Sequence, residues 1–142
     1  MSLKTNAQKQ LEQDEKRSRY LYHDTLNIPT IGIGRNLKRG LTEDEIDYLF
    51  NNDYRDHLKE LLEAFPWAEH LDEARLGALL NMTFNMGITR LRGFKNMLAS
   101  MEAGDWEAAA SHALNSVWAS QVGRRSHRIA EQIRSGQWQF QQ

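Results

Sequence analysis

Cysteine is absent from the 142-residue chain, which excludes a disulfide framework, a thiolate zinc site and a cysteine nucleophile. No apolar run approaches the roughly 20 residues of a membrane-spanning helix. The first ten residues hold no apolar stretch of the secretory kind, so no signal peptide is expected and the chain should be made and kept in a cytoplasm. Work outside it would need another protein to let it out. The five histidines form no ligand-spaced pair, and neither a metal nor another cofactor is expected. Repeats, low-complexity tracts and Gly/Ser linkers are missing too, so one domain over 1–142 is the expectation. Proline occurs only twice, and both positions punctuate elements.

What is present suffices for a core: 40% of residues are hydrophobic and 9% aromatic, which excludes wholesale disorder. The formal net charge of −1 hides an uneven distribution. Residues 1–39 carry eight basic and four acidic side chains, residues 40–73 two and eleven, and residues 74–142 eight and four. Two basic flanks therefore enclose an acidic middle.

The segment Thr5–Glu15 is polar but rich in helix formers and reads as a short helix of low intrinsic stability. Tyr20-Leu21-Tyr22, Asp24–Asn27 and Ile28–Gly34 read as strand, turn and strand, with Pro29 either opening the second strand or marking an edge. Gly32 and Gly34 alternate with Ile31 and Ile33, which leaves one face free for close approach of a backbone or ligand, or else marks a bulge or tight packing. Thr42 and Glu45 form a capping box. Behind it Ile46, Leu49, Phe50, Tyr54, Leu58, Leu61, Leu62 and Phe65 predict one helix of about twenty residues ending before Pro66. Beyond it, Asp72 caps a helix closed by Gly87, a second runs from Phe94 to Gly104, Asp105 caps a third through Leu114, and a last covers about Arg124–Arg134.

Most charged residues fall on helix faces and read as solvated surface. Three polar residues are placed differently. Glu15 ends the first helix, Asp24 sits in the turn and Thr30 opens the glycine-alternating strand. A helix end facing a hairpin can bring them to one cleft. A shielded carboxylic acid, with an ionised carboxylate near a hydroxyl that orients water, is what glycosidic hydrolysis requires. The ordinary alternatives are Glu15 as surface, Asp24 as an Asx-turn former and Thr30 as strand filler.

The stretch Glu15-x8-Asp24-x5-Thr30, followed by Ile31-Gly32-Ile33-Gly34, resembles the catalytic signature of the phage-type lysozymes (endolysins), glycoside hydrolase family 24, typified by the T-even phage enzyme. The resemblance continues in Leu41-Thr42-x-Asp44-Glu45, Leu49-Phe50-x-x-Asp53 and Asn81-Met82-x-Phe84-Asn85-Met86-Gly87. It persists through Gly93-Phe94, Trp106-x-x-Ala109-Ala110, Trp118, Arg125 and Gly136-x-Trp138, so its landmarks cover nearly the whole chain.

The resemblance implies an α+β, mostly α, lysozyme-like fold. A small β-hairpin lobe, about 16–45, would be joined by a connecting helix, about 43–64, to a helical lobe made of about 67–142 plus the N-terminal helix. The cleft would lie between the lobes. It implies Glu15 as general acid, Asp24 as the carboxylate that activates or positions water, and Thr30 as its helper. The bond would be the β-1,4 link from N-acetylmuramic acid to N-acetylglucosamine in bacterial peptidoglycan, cleaved with inversion. It also implies a monomer that lyses the host from within, released by a holin-like protein, with no stable membrane association. The basic cluster Arg124-Arg125-Ser126-His127-Arg128 offers a helix for nucleic acid, but no aromatic interleaving or helix-turn-helix spacing backs it, so no nucleic acid partner is expected. The basic flanks would then form the cleft walls and draw the carboxylates of wall peptides.

Two positions depart from the family pattern. Lys16 stands where glycine usually follows the acid, which is feasible if the local backbone is helical but sets beside the acid a cation that favours its ionised form, and Arg35 stands where the T-even type has histidine. The loop from Arg35 to Thr42 is short, so the small lobe should be reduced. Gly32, Gly34, Arg35, Asn81, Asn85 and Arg125 are the further cleft candidates. Asn81 and Asn85 are equally readable as structural, and Arg125 as one of several arginines on a basic helix. Trp106, Trp118 and Trp138 read as core of the helical lobe rather than sugar platforms. A non-catalytic binder would have no chemical need for Glu15, Asp24 and Thr30 together, and a lytic transglycosylase none for Asp24 and Thr30.

Overall fold

The computed structural model describes residues 2–141; Met1 and Gln142, the ends of the expected domain, lie outside them. The chain is mostly helical with one three-stranded antiparallel sheet, an α+β, lysozyme-like composition as expected. It divides into two compact units, residues 1–49 and 50–142.

The first unit begins with α1 (Leu3–Glu15), whose Ser2 cap accepts a hydrogen bond from the Thr5 N–H at 3.3 Å. α1, which the resemblance groups with the helical lobe, is counted in this unit. The sheet follows: β1 (Arg17–His23), β2 (Pro29–Ile33) and β3 (Arg35–Asn36), in the order β1-β2-β3. Pro29 opens β2, and β2 is the central strand. The third strand is an addition to the expected hairpin, since two residues give no alternation to read. Ser18 pairs with Gly32 and Tyr22 with Thr30, so Arg19, Tyr20 and Leu21 face the single residue Ile31 across a bulge. Ser18 braces the bulge by donating its hydroxyl to the Tyr20 carbonyl at 2.7 Å. A 3-10 turn, Leu37–Arg39, leads to α2 (Glu43–Ala64). The capping box forms as expected: the Thr42 N–H donates to Glu45 Oε1 at 2.8 Å, and the Glu45 N–H to Thr42 Oγ1 at 3.2 Å. α2 runs 22 residues and stops before Pro66.

The second unit contains most of α2, a 3-10 turn at Pro66–His70, and α3 (Glu73–Met86), capped by Asp72 and ended at Gly87. It continues through α4 (Ile88–Arg92), α5 (Lys95–Glu102), α6 (Trp106–Leu114), α7 (Val117–Val122) and α8 (Arg124–Ser135). α4 and α7, of five and six residues, are too short to show a helical period and were not expected. Asp105 caps α6 by accepting from the Ala108 N–H, and left-handed Gly136 ends α8. Leu61, Leu79, Met82, Leu91, Met97, Met101 and Ile133 form the fully buried centre of the core. Arg75 fastens the end of α8 to α3, donating from Nε to the Ile133 carbonyl at 2.6 Å and from Nη2 to the Arg134 carbonyl at 2.9 Å. Its guanidinium also lies 3.9 Å over the Trp106 ring.

The tryptophans divide. Trp118 is buried and Trp106 packs on the core, but Trp138 lies beyond the last helix, is 48% exposed and stacks on Phe140. Its ring fills the place where Gly77 lacks a side chain, a partnership that no helical spacing encodes.

Candidate active site

Glu15 is the last residue of α1, where the chain turns into β1. Its carboxylate rests on the backbone of Gly34: a Cβ built there would lie 2.6 Å from Glu15 Oε2 and 2.8 Å from its Cδ. Gly34 also has φ +65°, so its conformation calls for glycine, and a side chain there would push the Glu15 carboxylate from its place. Of the two sequence readings of the glycine pair, Gly34 thus serves close approach. Gly32, with φ +69° and nothing near the place of its missing Cβ, pairs with Ser18 at the margin of the bulge. Leu11, Glu12, Arg17 and Ile33 join Glu15 and Gly34 around an open depression of about 480 Å³. Among the described residues nothing donates a hydrogen bond to the Glu15 carboxylate, and Glu15 is exposed rather than shielded.

Lys16 is not helical. It adopts φ 65° and ψ 156°, a region that glycine alone enters freely. The chain has to reverse from a helix into a strand within one residue, and that requirement overrides the side chain's preference.

Asp24 forms the Asx turn of the β1–β2 connection. Its Oδ1 accepts the Leu26 N–H at 2.8 Å and the Ile28 N–H at 2.9 Å, while its own N–H donates to the Ile28 carbonyl. Asn27 takes a positive φ of 60°, which asparagine tolerates. Oδ2 accepts nothing among the described residues. Thr30 is buried and donates its hydroxyl to the Ile28 carbonyl at 2.8 Å, which leaves its oxygen able to accept. Asp24 and Thr30 are therefore both fixed on Ile28. One of the two Asp24 oxygens is structural and the other open.

The remaining candidates have structural partners. Arg35 donates from Nη1 and Nη2 to the two Glu45 carboxylate oxygens at 2.5 and 2.7 Å, and from Nη2 to the Gly40 carbonyl. The Arg35 guanidinium, with the Thr42 N–H and hydroxyl, holds the Glu45 carboxyl down to about 2. Asn81 accepts from Arg125 Nε at 2.9 Å, and Asn85 accepts from the Trp118 indole at 2.8 Å. Sequence reasoning missed Glu12 and Arg17, whose five-residue separation across a helix end matches no helical or strand period, and Arg75, whose partners lie 58 and 59 residues away. Among the described residues no three His, Asp or Glu side chains converge as a metal site would need.

The phage lysozyme family matches residues 12–132, a span from Glu12 through the Glu15 junction and the sheet to α8. The chain belongs to the phage lysozyme family. Relatives of this family member include the pre-baseplate central spike protein Gp5 of Enterobacteria phage T4, 29% identical over 89% of this chain. The chain spans only 27% of that protein's length. The probable T4-type lysozymes 1 and 2 of Dictyostelium discoideum are 29% and 26% identical, again over 89% of the chain and over 92% of each relative. Among the described residues of this lysozyme-family chain, no helix is long and apolar enough to cross a membrane.

Proposed function

We propose that this protein is a muramidase that hydrolyses the β-1,4 bond from N-acetylmuramic acid to N-acetylglucosamine in bacterial peptidoglycan. Glu15 acts as the general acid, giving its proton to the leaving glycosidic oxygen. The observation that carries this reading is a carboxylate brought onto bare backbone at Gly34 yet, among the described residues, held by no hydrogen bond. An ordinary surface carboxylate points into solvent, whereas this one lies against bare backbone beside an open depression and keeps its proton free to be handed over. The polymer, once bound, covers the exposed Glu15 and supplies the exclusion of water that the reaction needs.

Asp24 and Thr30 orient the attacking water. Oδ2 of Asp24 and the hydroxyl oxygen of Thr30 are both acceptors, so a water donating one proton to each keeps a lone pair for the anomeric carbon. The Asx turn supports this, because the bonds to Oδ1 fix the carboxylate plane while leaving Oδ2 unused. Water attack on the face opposite the acid, with the water's proton passing to the Asp24 carboxylate as the bond to the anomeric carbon forms and the glycosidic bond breaks, gives inversion. In this reading the protein acts in host lysis, kept in the cytoplasm until a holin-like partner opens the way to the wall.

Glu15→Gln is expected to lower clearing of a cell-wall suspension by about 10²–10⁴-fold while circular dichroism stays that of the wild type. Wild-type clearing by that variant would overturn the assignment. New reducing ends in the products are expected from hydrolysis, whereas anhydro ends would show transglycosylation. Proton NMR of the first product anomer tests inversion.

A further inference from the structure

The turn between α1 and β1 is a strained backbone reversal next to the proposed acid. Lys16 sits in a conformation that glycine adopts freely and other residues do not, and such strain persists only where neighbouring bonds over-determine it. Three bonds do so here, and all end on Glu12. The Lys16 N–H donates to the Glu12 carbonyl at 2.9 Å, and Arg17 donates from Nε at 2.9 Å and from Nη2 at 2.6 Å to Glu12 Oε1. The ion pair therefore reaches back over the strained residue and ties the first residue of β1 to the last turn of α1.

We propose that Glu12 and Arg17 are positioning residues, a clamp that holds the Lys16 turn closed and thereby keeps the Glu15 carboxylate seated on Gly34. Neither touches the reacting atoms; both act through Glu15. The inference rests on Glu15 being the general acid. The pair is needed because position 16 is lysine, since a glycine there would hold the same turn without strain.

A role in α1 alone makes the opposite prediction. Glu12 lies near the C-terminal end of the helix, which has no basic residue in its last turn, and a carboxylate there opposes the helix dipole. Alanine is also the better helix former. On those grounds Glu12→Ala would strengthen α1 and leave activity intact.

The test compares wild type, E12A, R17Q, K16G and the double variant K16G/E12A on soluble peptidoglycan fragments. E12A and R17Q are expected to lower kcat about threefold to tenfold with KM unchanged, as for a displaced rather than a deleted group. K16G is expected to match wild type, and K16G/E12A to match K16G, because glycine removes the strain that the clamp resists. Wild-type kcat in E12A, or a loss from E12A that is equal with and without K16G, overturns the proposal. Hydrogen exchange of the Lys16 amide reads the clamp without activity: faster exchange in E12A than in wild type supports it, and equal exchange opposes it. If E15Q remains active, the acid assignment fails on its own, while the exchange result still decides whether the clamp exists.

Discussion

Gly32 and Gly34 share a positive φ but differ in what surrounds them, which makes them a controlled pair. An alanine at either position carries the left-handed backbone cost, about 1–2 kcal/mol. Only at Gly34 would the added methyl also meet a side chain, the Glu15 carboxylate. Gly34→Ala is therefore expected to destabilise by about 1–2 kcal/mol in a denaturant titration and to lose far more wall-clearing activity than Gly32→Ala. Equal activities in the two variants would show that the contact between Gly34 and Glu15 does not matter. The glycine pattern was legible because glycine at alternate positions is itself a signal. The strain at Lys16 is not legible in the same way, since a lysine after a helix carries no mark of positive φ in itself and the glycine usual at that position in the family is its one hint. The sequence around Asp24 fits both a turn former and a catalytic carboxylate, and its two oxygens give room for both.

The start of α2 joins a local device to a distant one. The Thr42–Glu45 box spans three residues and was legible for that reason; the Arg35–Glu45 pair spans ten residues across a 3-10 turn and was not. It gives Arg35, a cleft candidate, a part in supporting the start of the helix. The consequence is a pH dependence of stability. The Glu45 carboxyl is lowered from 4.5 to about 2 in the folded chain, first by the Arg35 hydrogen bond and then by Thr42. A depressed carboxyl contributes stability that is fully present above its unfolded value and is lost as pH falls through its folded one. The difference in melting temperature between wild type and Glu45→Gln is thus expected to be constant above about pH 5 and to shrink between about pH 4.5 and pH 2. A difference that stays constant down to pH 2 would place the Glu45 contribution outside its charge. Elsewhere at this scale, long periodic helices and side-chain caps were read closely, whereas β3, α4 and α7 escaped because two to six residues cannot display a period.

Across the whole molecule, the charge blocks do not follow the compact units. The first unit holds eight basic and eight acidic side chains and the second ten and eleven, because the acidic middle is cut within α2. Neither unit is a basic wall, so any attraction for wall carboxylates has to come from local groups and not from a lobe's net charge. Burial, in contrast, divides sharply between them. Every fully buried apolar side chain among the described residues belongs to the second unit, while in the first Thr30 alone is buried. About fifty residues without a dry apolar centre bury too little surface to offset the entropy of ordering the chain. The first unit, which carries Glu15, Asp24 and Thr30, is thus expected to open at a lower free energy than the second. Native-state hydrogen exchange should show β1 and β2 amides exchanging through sub-global openings, while α3 and α8 amides exchange only on global unfolding. Leu79→Ala, at a fully buried position, should lower global stability by about 2–5 kcal/mol and bring the α3 amides down with it. The β1 and β2 amides should shift much less, because their openings do not require the core to come apart. If instead all four elements exchanged at one free energy and fell together in Leu79→Ala, the two units would unfold as one, and the sheet would draw its stability from contacts that its own burial does not reveal.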